Sequence, residues 1–589
     1  MALRLPIRFP IDIIRIELQR YVKECAATLV DIPDAVTYLV TPFNVENNID
    51  ELKYLLNWSP ATLSVALTFL NVPYVQSPLV AQFAIRTLRK FSPEAVVFYL
   101  PQLVQCLRHD HRGLLKRFLL NISKRSVMFA HQLIWTLRTE MIPSDYEETE
   151  HLKPADMEIS SLCESLNAEV FKILDERQLA LYEEEFGFFD QLNKISGDLI
   201  PVEKESRTMR LQEAMAIIST TANLYPPTDT RYQIIDFEPK GCITLKSAKK
   251  VPILVPFVVK ERPRGLDIGQ EFSEREKQVY AMTLPEVRNL IFKMGDDCRQ
   301  DQLALQIISM FKQIFKRLEL PLYLYPYRVI TTGRDMGIIE CVPNSKSRHD
   351  LGGVTEGDLY DYFIKKYGHE NTIEFQQARK NFIESMAAYS VVSYILNIKD
   401  RHNGNLLVDE DGHLIHIDFG FIFDIAPGGN YGIEVRVPFK LTYEMLLLMG
   451  ENVSKEKQQQ AKQQSMIPTQ NVSLSMDPSA HSVGFDVAEP IQAQDHSEPF
   501  NLFVDLVVRG FLASRDHMDS IVSIVEVMLQ SELPCFKQDA IKNLKARFCA
   551  DKPEKEAARF IREKVTASYQ NIWSVVYDKY QQKFEGVMC

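Results

Sequence analysis

The amino-terminal half of the chain repeats apolar residues at three- and four-residue spacing, interrupted by prolines and polar turns. This spacing places apolar side chains on one face of a helix. It predicts helices over residues 62–70, 80–91, 93–107, 112–122 and 159–200. Each of these helices needs a neighbour to cover its apolar face, so we expect an antiparallel helical stack. The pattern has no fixed repeat length, which favours a generic helical domain over a named solenoid class.

The pattern changes after Tyr225, where short β-branched and aromatic runs separated by turns are typical of strands. The predicted strands are at 232–237, 242–245, 251–259, 322–330, 337–341 and 414–417. Helices are predicted at 301–317 and 374–396, with a hairpin turn around 409–413 and mainly helical patterns beyond it. A mixed α+β region therefore follows the helical one.

Residues 452–498 differ from their surroundings, because a glutamine cluster is followed there by a tract rich in serine and proline. Such a composition cannot bury enough apolar surface to form a core. We expect a disordered loop inserted between helices.

Composition narrows the class of protein. A chain of 589 residues with 46% hydrophobic and 25% charged residues can form several packed domains and is not a small disulfide scaffold. The formal net charge of −11 argues against binding nucleic acid through bulk charge. The nine cysteines form no C-x-x-C pair, which indicates reduced thiols and a cytoplasmic location. No stretch is typical of a signal peptide or a membrane span.

The sharpest chemical signal is DRHNGN at 400–405, followed after a hairpin by HIDFG at 416–420. Phosphoryl transfer needs a group that orients or deprotonates the attacking hydroxyl, and oxygen ligands for Mg²⁺ on the nucleotide phosphates. Asn405 and Asp418 are the candidate metal ligands. Asp400 and His402 are the candidates for handling the substrate proton, and the sequence leaves their division of roles open.

A second cluster, KMGDDCRQD at 293–301, lies upstream. A lysine at a strand end can meet a phosphate as a point charge, and an acid on the next helix can position it. Lys293 and Asp301 are that candidate pair. The turn at 246–250 offers backbone amides, the Ser247 hydroxyl and Lys249 to the β and γ phosphates, although it has no G-x-G-x-x-G pattern.

Together these motifs resemble the phosphoinositide 3- and 4-kinase superfamily, whose catalytic loop reads D-R-H where protein kinases read H-R-D. Finer features resemble the type III alpha phosphatidylinositol 4-kinases: SPLVAQFAI at 77–85, AHQLIW at 130–135, FQQAR at 375–379, SMAAY at 385–389 and APGGN at 426–430. The resemblance runs from about residue 40 to about residue 565.

The resemblance implies a multidomain α plus α+β fold, in which a helical accessory (PIK) domain packs on a bilobal kinase-like lipid kinase domain. The implied division is a helical lead-in at 1–40, the accessory domain at 41–200, a linker at 201–230, the kinase N-lobe at 231–342 and the C-lobe at 343–589. The implied activity is transfer of the ATP γ-phosphate to the 4-hydroxyl of phosphatidylinositol, with Mg²⁺ as metal and Mn²⁺ as its alternative.

The resemblance also implies roles for single residues. Nucleotide binding falls to Ser247, Lys249, Lys293, Asp301, Tyr325, Glu340, Val342 and Ile417, with Glu340 and Val342 on the hinge that meets adenine through its backbone. The catalytic loop is 397–405, and the activation segment that meets the lipid headgroup begins at Asp418. Its candidate substrate contacts are Phe419, Gly420, Arg436 and Lys440.

The charges of the activation segment also indicate which lipid is the substrate. Between residues 419 and 441 the only bases are Arg436 and Lys440, against Asp424 and Glu434. A site for a bisphosphorylated inositol needs several bases around the extra phosphates, so unphosphorylated phosphatidylinositol is favoured. The alternatives are a phosphoinositide 3-kinase, a related protein Ser/Thr kinase, or a non-catalytic scaffold.

The expected location is peripheral, at the cytoplasmic face of the plasma membrane. Residues 556–584 have an amphipathic pattern that fits either a membrane-surface helix or a helix packed on the C-lobe. Scaffold subunits are partners in the family, but the long amino-terminal region that meets them has no counterpart in this sequence. We expect no nucleic acid partner.

Overall fold

A computed structural model describes residues 11–143, 154–221, 223–245, 250–355, 358–427, 437–451 and 496–569. The chain divides into two compact units. Unit 1 comprises Met1–Phe311, Tyr325–Pro343 and Arg515–Glu554, and unit 2 comprises Lys312–Leu324, Asn344–Ser514 and Lys555–Cys589. The domain bounds expected from the sequence stay a prediction.

The amino-terminal part of unit 1 is helical. Its helices are α1 Ile11–Glu24, α2 Val36–Leu39, α3 Pro42–Glu46, α4 Leu63–Leu70, α5 Pro78–Leu88, α6 Pro93–Val97, α7 Leu100–Cys106, α8 Leu114–Ser123, α9 Val127–Glu140, α10 Pro154–Ile173, α11 Glu176–Asp198 and α12 Arg207–Met215. Proline in the first turn begins α5 and α6, where its missing N–H leaves no hydrogen bond unmade. Helices therefore lie in the region where the sequence predicts them, and neighbours such as α4 and α5 are in contact.

Two of the predicted helices are each divided in two. The segment 93–107 forms α6 and α7, because Pro101 in the first turn of α7 starts a new helix. The segment 159–200 forms α10 and α11, where Asp175 caps α11 in a reciprocal capping box with Gln178. A cap of this kind satisfies the first N–H groups of a new helix and so separates it from the preceding one.

Unit 1 also holds an antiparallel sheet in the order β1-β3-β4-β6-β5, with β2 paired to β3. The strands are β1 Tyr232–Phe237, β2 Ile243–Thr244, β3 Ile253–Glu261, β4 Glu286–Met294, β5 Val329–Gly333 and β6 Met336–Glu340. The helices α13 Glu274–Met282 and α14 Arg299–Arg317 lie between strands in the sequence. Two further helices of this unit follow much later in the chain, at Met518–Met528 and Ala540–Arg547.

One face of this sheet packs against α11. The ring of Phe189 stacks on Phe292 with centroids 6.0 Å apart, and the ring of Phe188 lies 6.2 Å from Phe257. Both sheet rings are fully buried. Because side chains alternate along a strand, the neighbours of these rings in sequence face the other side.

The predicted strand at 322–330 is wrong over most of its length, since β5 begins only at Val329. Pro321 and Pro326 have no N–H to donate to a sheet ladder, and the N–H of Tyr327 is used within the segment by the carbonyl of Tyr325. Residues 321–328 therefore run without regular structure.

Unit 2 is mainly helical and contains a small antiparallel sheet in the order β7-β8-β9. Its strands are β7 Ser345–Ser347, β8 Leu406–Asp409 and β9 Leu414–His416. The end of α14 also belongs to this unit. Its other helices are α15 Arg348–Thr355, α16 Leu359–Tyr367, α17 Ile373–Leu396, α18 Tyr443–Leu448, α19 Glu498–Arg515 and α22 Glu554–Tyr569. The two late helices of unit 1 are α20 Met518–Met528 and α21 Ala540–Arg547. The long helix α17 is buried along most of its length.

The described part of the carboxyl-terminal pattern is packed rather than exposed. Ala557, Ile561 and Val565 of α22 are buried, and the ring of Phe560 lies 6.1 Å from that of Tyr394. This supports the packed alternative for Glu554–Tyr569, while 570–584 lies outside the described residues. Across the described ranges, no helix has the length and apolar character that crossing a bilayer requires. Most of the predicted insertion, 452–495, also lies outside them.

Candidate active site

The predicted catalytic loop begins where α17 ends. Asn397 takes the left-handed conformation, with φ of 51°, and terminates the helix. Its side-chain amide donates to the carbonyl of Phe423 at 2.6 Å, and the N–H of Phe423 donates to the carbonyl of Leu396 at 2.8 Å. These bonds fasten the start of the loop to the segment that follows HIDFG.

Two aspartates of the predicted site have positive φ, 63° at Asp400 and 60° at Asp418. Non-glycine residues rarely adopt this conformation, and it is enriched where function holds the backbone in place. The N–H of Gly420 donates to Oδ1 of Asp418 at 3.3 Å, and Asp418 is exposed. Its carboxylate is therefore oriented, and the residue is exposed to solvent.

Arg401, which the sequence analysis did not single out, joins the two motifs. Its buried guanidinium donates to the carbonyls of Lys399 at 2.9 Å, Ile417 at 2.7 Å and Asp418. It also lies over the ring of Phe419, 5.6 Å from the centroid. A planar five-donor group suits several carbonyls at once. The position of an arginine inside the D-R-H motif was the signal for this role.

His402 has a defined hydrogen-bond partner on one ring nitrogen. Its Nδ1 accepts from the N–H of Gly404 at 3.0 Å, and its Nε2 lies 4.0 Å from Oδ2 of Asp400. Burial lowers the pKa of His402, and the charge of Asp400 opposes that shift only in part. The imidazole is therefore neutral at pH 7, with Nδ1 as acceptor and the proton on Nε2.

Asn405 is held on three sides. Its Nδ2 donates to the carbonyl of Asp400 at 2.9 Å, its N–H donates to the carbonyl of His402, and its own carbonyl accepts from Ile417. The side-chain amide oxygen is the atom left to serve as a ligand. Asn405 is thus hydrogen-bonded through its backbone to Ile417, the residue before Asp418. The structure therefore brings the two predicted metal ligands, Asn405 and Asp418, close together.

The activation segment is only partly described. Phe419 is fully buried, and Lys440 is buried with its Nζ 3.2 Å from Oδ1 of Asn403. Arg436 lies outside the described residues. Contacts of Phe419, Gly420, Arg436 and Lys440 with a substrate stay a prediction, and the structure shows in addition that Lys440 supports the catalytic loop.

In unit 1, Lys293 lies on β4 opposite Gly337 of β6. Burial raises the pKa of the Cys298 thiol, the charge of Asp301 adds to this shift and the charge of Lys293 opposes it. Lys293 and Asp301 therefore both lie near the buried thiol of Cys298. Their role toward a phosphate stays a prediction.

Lys293 shares its sheet face with apolar residues that are only partly buried. Leu254 is opposite Ile291 and Ile291 is opposite Ile339 in the register, and Lys293 follows Ile291 by two residues. This face carries an apolar surface next to a cation, which suits a purine ring attached to phosphates. Strand alternation in the sequence already contained this signal for Ile291, but the pairing of strands did not follow from it.

The predicted phosphate-binding turn is described only at its last residue. Residues 246–249, with Ser247 and Lys249, lie outside the described residues. Lys250 is described, and its side chain occupies the place that a Cβ on Gly295 would take. Gly295 has φ of 82°, and its N–H donates to the carbonyl of Asp335 at 2.7 Å. A glycine is required there by conformation and by this close approach.

The predicted hinge is held by ion pairs. Glu340 accepts from Arg288 at 2.8 Å, and Arg288 lies 3.6 Å from the buried Asp229, which also pairs with Arg328 at 2.8 Å. Burial raises the pKa of Glu340, with the nearby arginines opposing the shift. Burial raises the pKa of Tyr325, and the charge of Glu340 raises it further. Adenine contacts of Glu340, Val342 and Tyr325 stay a prediction.

Comparison with known proteins identifies the family. The family Phosphatidylinositol 3- and 4-kinase matches residues 288–471, and the Phosphoinositide 3-kinase family, accessory domain (PIK domain) matches residues 10–175. Phosphatidylinositol 4-kinase alpha 2 of Arabidopsis thaliana is 35% identical over 472 residues, which are 80% of this chain and 77% of the relative. The chain belongs to the type III alpha phosphatidylinositol 4-kinases.

Two longer members of the family match nearly the whole chain. Phosphatidylinositol 4-kinase alpha 1 of Arabidopsis thaliana is 37% identical over 596 residues, and Phosphatidylinositol 4-kinase STT4 of Saccharomyces cerevisiae is 34% identical over 567. These matches cover 100% and 95% of this chain but 26% and 27% of the relatives. The chain therefore spans about a quarter of the length of these type III alpha relatives.

Membership of the type III alpha phosphatidylinositol 4-kinases confirms the resemblance inferred from the motifs. It also confirms the fold class, a helical PIK domain together with an α+β catalytic domain. The roles of single site residues are not decided by it.

Proposed function

We propose that this chain is a lipid kinase that transfers the γ-phosphate of ATP to the 4-hydroxyl of phosphatidylinositol, giving phosphatidylinositol 4-phosphate. The observation that carries the proposal is the joining of the D-R-H loop to Asp418 through Arg401. A polar turn without catalytic function has no need of a buried arginine that fixes the backbone on both sides of the site.

The two proton-handling residues take different parts in this reaction. Because Nδ1 of His402 is engaged by Gly404, its neutral ring presents Nε2–H, which donates to an oxygen and accepts no proton there. The carboxylate of Asp400 is then the acceptor of the proton from the inositol hydroxyl. His402 orients an oxygen of the reacting groups.

The donor set of unit 2 fits a hard divalent cation. A carboxylate from Asp418 and an amide oxygen from Asn405 are the ligand types that Mg²⁺ and Mn²⁺ prefer. When bound, the cation neutralises charge on the nucleotide phosphates. The chain contributes by holding Asp418 through Gly420 and Asn405 through Asp400 before any ligand arrives.

Unit 1 supplies the groups for the nucleotide. Lys293, positioned with Asp301, binds the α-phosphate as a point charge, and Ser247 and Lys249 cover the β and γ phosphates. The apolar face of Leu254, Ile291 and Ile339 accommodates adenine, with Tyr325 beside it. The backbone of Glu340 and Val342 supplies the hydrogen bonds to its edge. Ile417 is a further nucleotide-binding residue of this proposal.

The choice of lipid and hydroxyl rests on the relatives and on charge. The relatives are named phosphatidylinositol 4-kinases, which favours the 4-hydroxyl over the 3-hydroxyl. A base-poor activation segment favours an inositol without further phosphates. Such a substrate places the enzyme at the cytoplasmic surface of a membrane, for which we propose the plasma membrane, with scaffold subunits as further partners.

The test is an assay with radiolabelled ATP and Mg²⁺ on phosphatidylinositol vesicles, with chromatography of the deacylated product. We expect label at the 4-position. Asp418→Asn should lose nearly all of it while keeping its melting temperature, because the metal ligand is weakened but the shape is kept. The matched control is Asp411→Asn, in the exposed hairpin turn after β8, which should keep full activity.

Other outcomes have definite meanings. Label at the 3-position would assign the same residues to a phosphoinositide 3-kinase. No label from a folded chain that binds ATP would contradict the proposal and favour the scaffold alternative.

A further inference from the structure

The helical part of unit 1 carries a row of basic side chains on α8 and the turn that ends it. Arg117, Lys124 and Arg125 are exposed, and Arg112 is exposed just before the helix. Residues 117, 124 and 125 lie seven and eight positions apart, which places them on one side of a helix. We call Arg112, Arg117, Lys124 and Arg125 the α8 basic stripe.

The stripe is not neutralised by neighbouring carboxylates. Among residues that the structure describes, none of its four bases forms an ion pair. By contrast, the adjacent Lys116 pairs with Glu169 at 2.6 Å, so an acid is supplied where the fold needs one. The stripe also contrasts with the chain as a whole, whose formal net charge is −11. At physiological salt the screening length is about 8 Å, so such a local cluster acts largely by itself.

Backbone contacts hold the two arginines at the beginning of the stripe. Arg117 donates to the carbonyl of Arg112 at 3.1 Å, and Arg112 donates to the carbonyl of Gln76 at 3.4 Å. At the other end, Nε of Arg125 donates to the carbonyl of Asn121 at 3.3 Å. These bonds keep the guanidinium groups close to the helix surface instead of extended into solvent, and each group retains further N–H donors.

The shape of the stripe indicates its partner. It follows one side of α8 and continues into the turn after Ser123. The helical part from Arg117 to Ser123 rises about 9 Å, and partly buried Leu114 and Leu120 lie beside it. A row of bases with apolar margins fits a plane of phosphate and carboxylate headgroups.

We propose that the α8 basic stripe binds the surface of an anionic lipid bilayer. The choice of a bilayer over an acidic protein rests on the proposed function, since the substrate proposed above is itself a membrane lipid. Lysine and arginine near the C-terminus of a helix also stabilise its dipole. That structural role concerns Lys124 and Arg125, but it does not account for Arg112 and Arg117 at the other end.

The test compares Arg117→Glu/Lys124→Glu with the parent chain in sedimentation with vesicles that contain no phosphatidylinositol. The vesicles are phosphatidylcholine alone, or phosphatidylcholine with about 30% phosphatidylserine, a content that gives the bilayer a negative surface potential. Each base near such a surface contributes about 1 kcal/mol, a factor of about five, so we expect the double variant to bind the anionic vesicles at least about 25-fold more weakly. The parent should bind neutral vesicles weakly and lose its anionic binding as salt is raised.

The matched control is Arg275→Glu/Lys277→Glu on α13, which makes the same change in net charge at two other exposed bases of unit 1. We expect the control to bind as the parent does. Melting temperatures of both variants separate loss of binding from loss of folding. Equal binding of the stripe variant and the parent would overturn the proposal, as would an equal loss in the control.

Failure of this inference can be told from failure of the proposed function. Turnover of phosphatidylinositol dispersed in neutral detergent should be the same in parent and stripe variant, while turnover on anionic vesicles should fall in the variant. Vesicle binding by a chain without kinase activity would support the stripe and contradict the proposed function. Kinase activity with unchanged vesicle binding in the variant would do the reverse.

Discussion

Arg401 and Asp418 are joined by a hydrogen bond from the guanidinium of the arginine to the backbone carbonyl of the aspartate. The predicted proton-handling residues flank Arg401, and Asp418 is a predicted metal ligand. The hydrogen bond therefore connects the predicted proton-handling loop to the predicted metal ligand within unit 2. Because Asp418 has positive φ, its backbone needs such support from outside.

Arg401→Lys should lower kcat by about 100-fold, because an ammonium cannot donate to three carbonyls in one plane and a displacement of about 1 Å in a catalytic group has that size of effect. We expect KM for ATP to change little. The matched control is Arg379→Lys, the same substitution at another largely buried arginine of unit 2, which pairs with Glu370. Similar losses of kcat in both variants would speak against a special role of Arg401.

The ion pair at the hinge should tune nucleotide affinity. Glu340→Gln removes the charge that meets Arg288 at 2.8 Å, so we expect KM for ATP to rise several-fold with kcat nearly unchanged. Glu286→Gln is the control, because Glu286 meets the same arginine at 2.6 Å from the exposed start of β4. A double-mutant cycle of Glu340→Gln with Arg288→Met should give a coupling of about 0.5–3 kcal/mol in ATP binding. A coupling energy of zero would show that the Arg288–Glu340 ion pair does not affect ATP binding.

Gly337→Ala should destabilise unit 1 and weaken ATP binding. A Cβ at this position would lie 2.7 Å from Sγ of Cys298 and 3.2 Å from the carbonyl oxygen of Ile330, directly opposite Lys293. Strain of this kind typically costs about 1–3 kcal/mol. Gly187→Ala in α11 is the control, since nothing lies within 4 Å of its Cβ and helix propensity favours alanine by up to about 1 kcal/mol. Thermal unfolding should move in opposite directions for the two variants.

His131 should make the protein sensitive to acid. Burial lowers the pKa of His131 to about 3, and its Nδ1 lies 2.7 Å from the hydroxyl of Tyr225. In an unfolded chain the pKa of histidine is about 6.5, so below that pH only the unfolded state takes up the proton. Stability is therefore lost as pH falls from about 6.5 toward 3, by at most about 1.4 kcal/mol per pH unit for this group.

The measurement is melting temperature against pH for the parent and His131→Asn, whose side-chain amide can hydrogen-bond to the Tyr225 hydroxyl as donor or as acceptor. We expect a shallower acid dependence in the variant between pH 6.5 and 4.5. The nearby Glu185 acts in the opposite direction, because burial raises the pKa of its carboxyl and folding then favours its protonated form. It is unchanged in both proteins, so the difference between their curves reports His131. Parallel curves would contradict the assignment.

Local sequence rules explain why the helices and strands begin and end near the predicted positions. Proline in the first turn begins α5 and α6, and the run of β-branched and aromatic residues in β3 is typical of a strand. The same local rules gave a wrong prediction where two signals in one segment pointed to different structures. The apolar run before Val329 is typical of a strand, yet its prolines prevent sheet pairing.

The motifs by themselves determined the family, because the identity and spacing of Lys293, Asp400, Asn405 and Asp418 are written in the chain. Only the tertiary structure decided how they are held. The role of Arg401 depends on carbonyls up to 17 residues away, and the hinge pair joins Arg288 to Glu340 across two strands. The state of His402 follows from one backbone N–H that no spacing rule places. These are long-range or single-bond contacts, which sequence patterns do not encode, since a pattern records only which face of its own element a residue occupies.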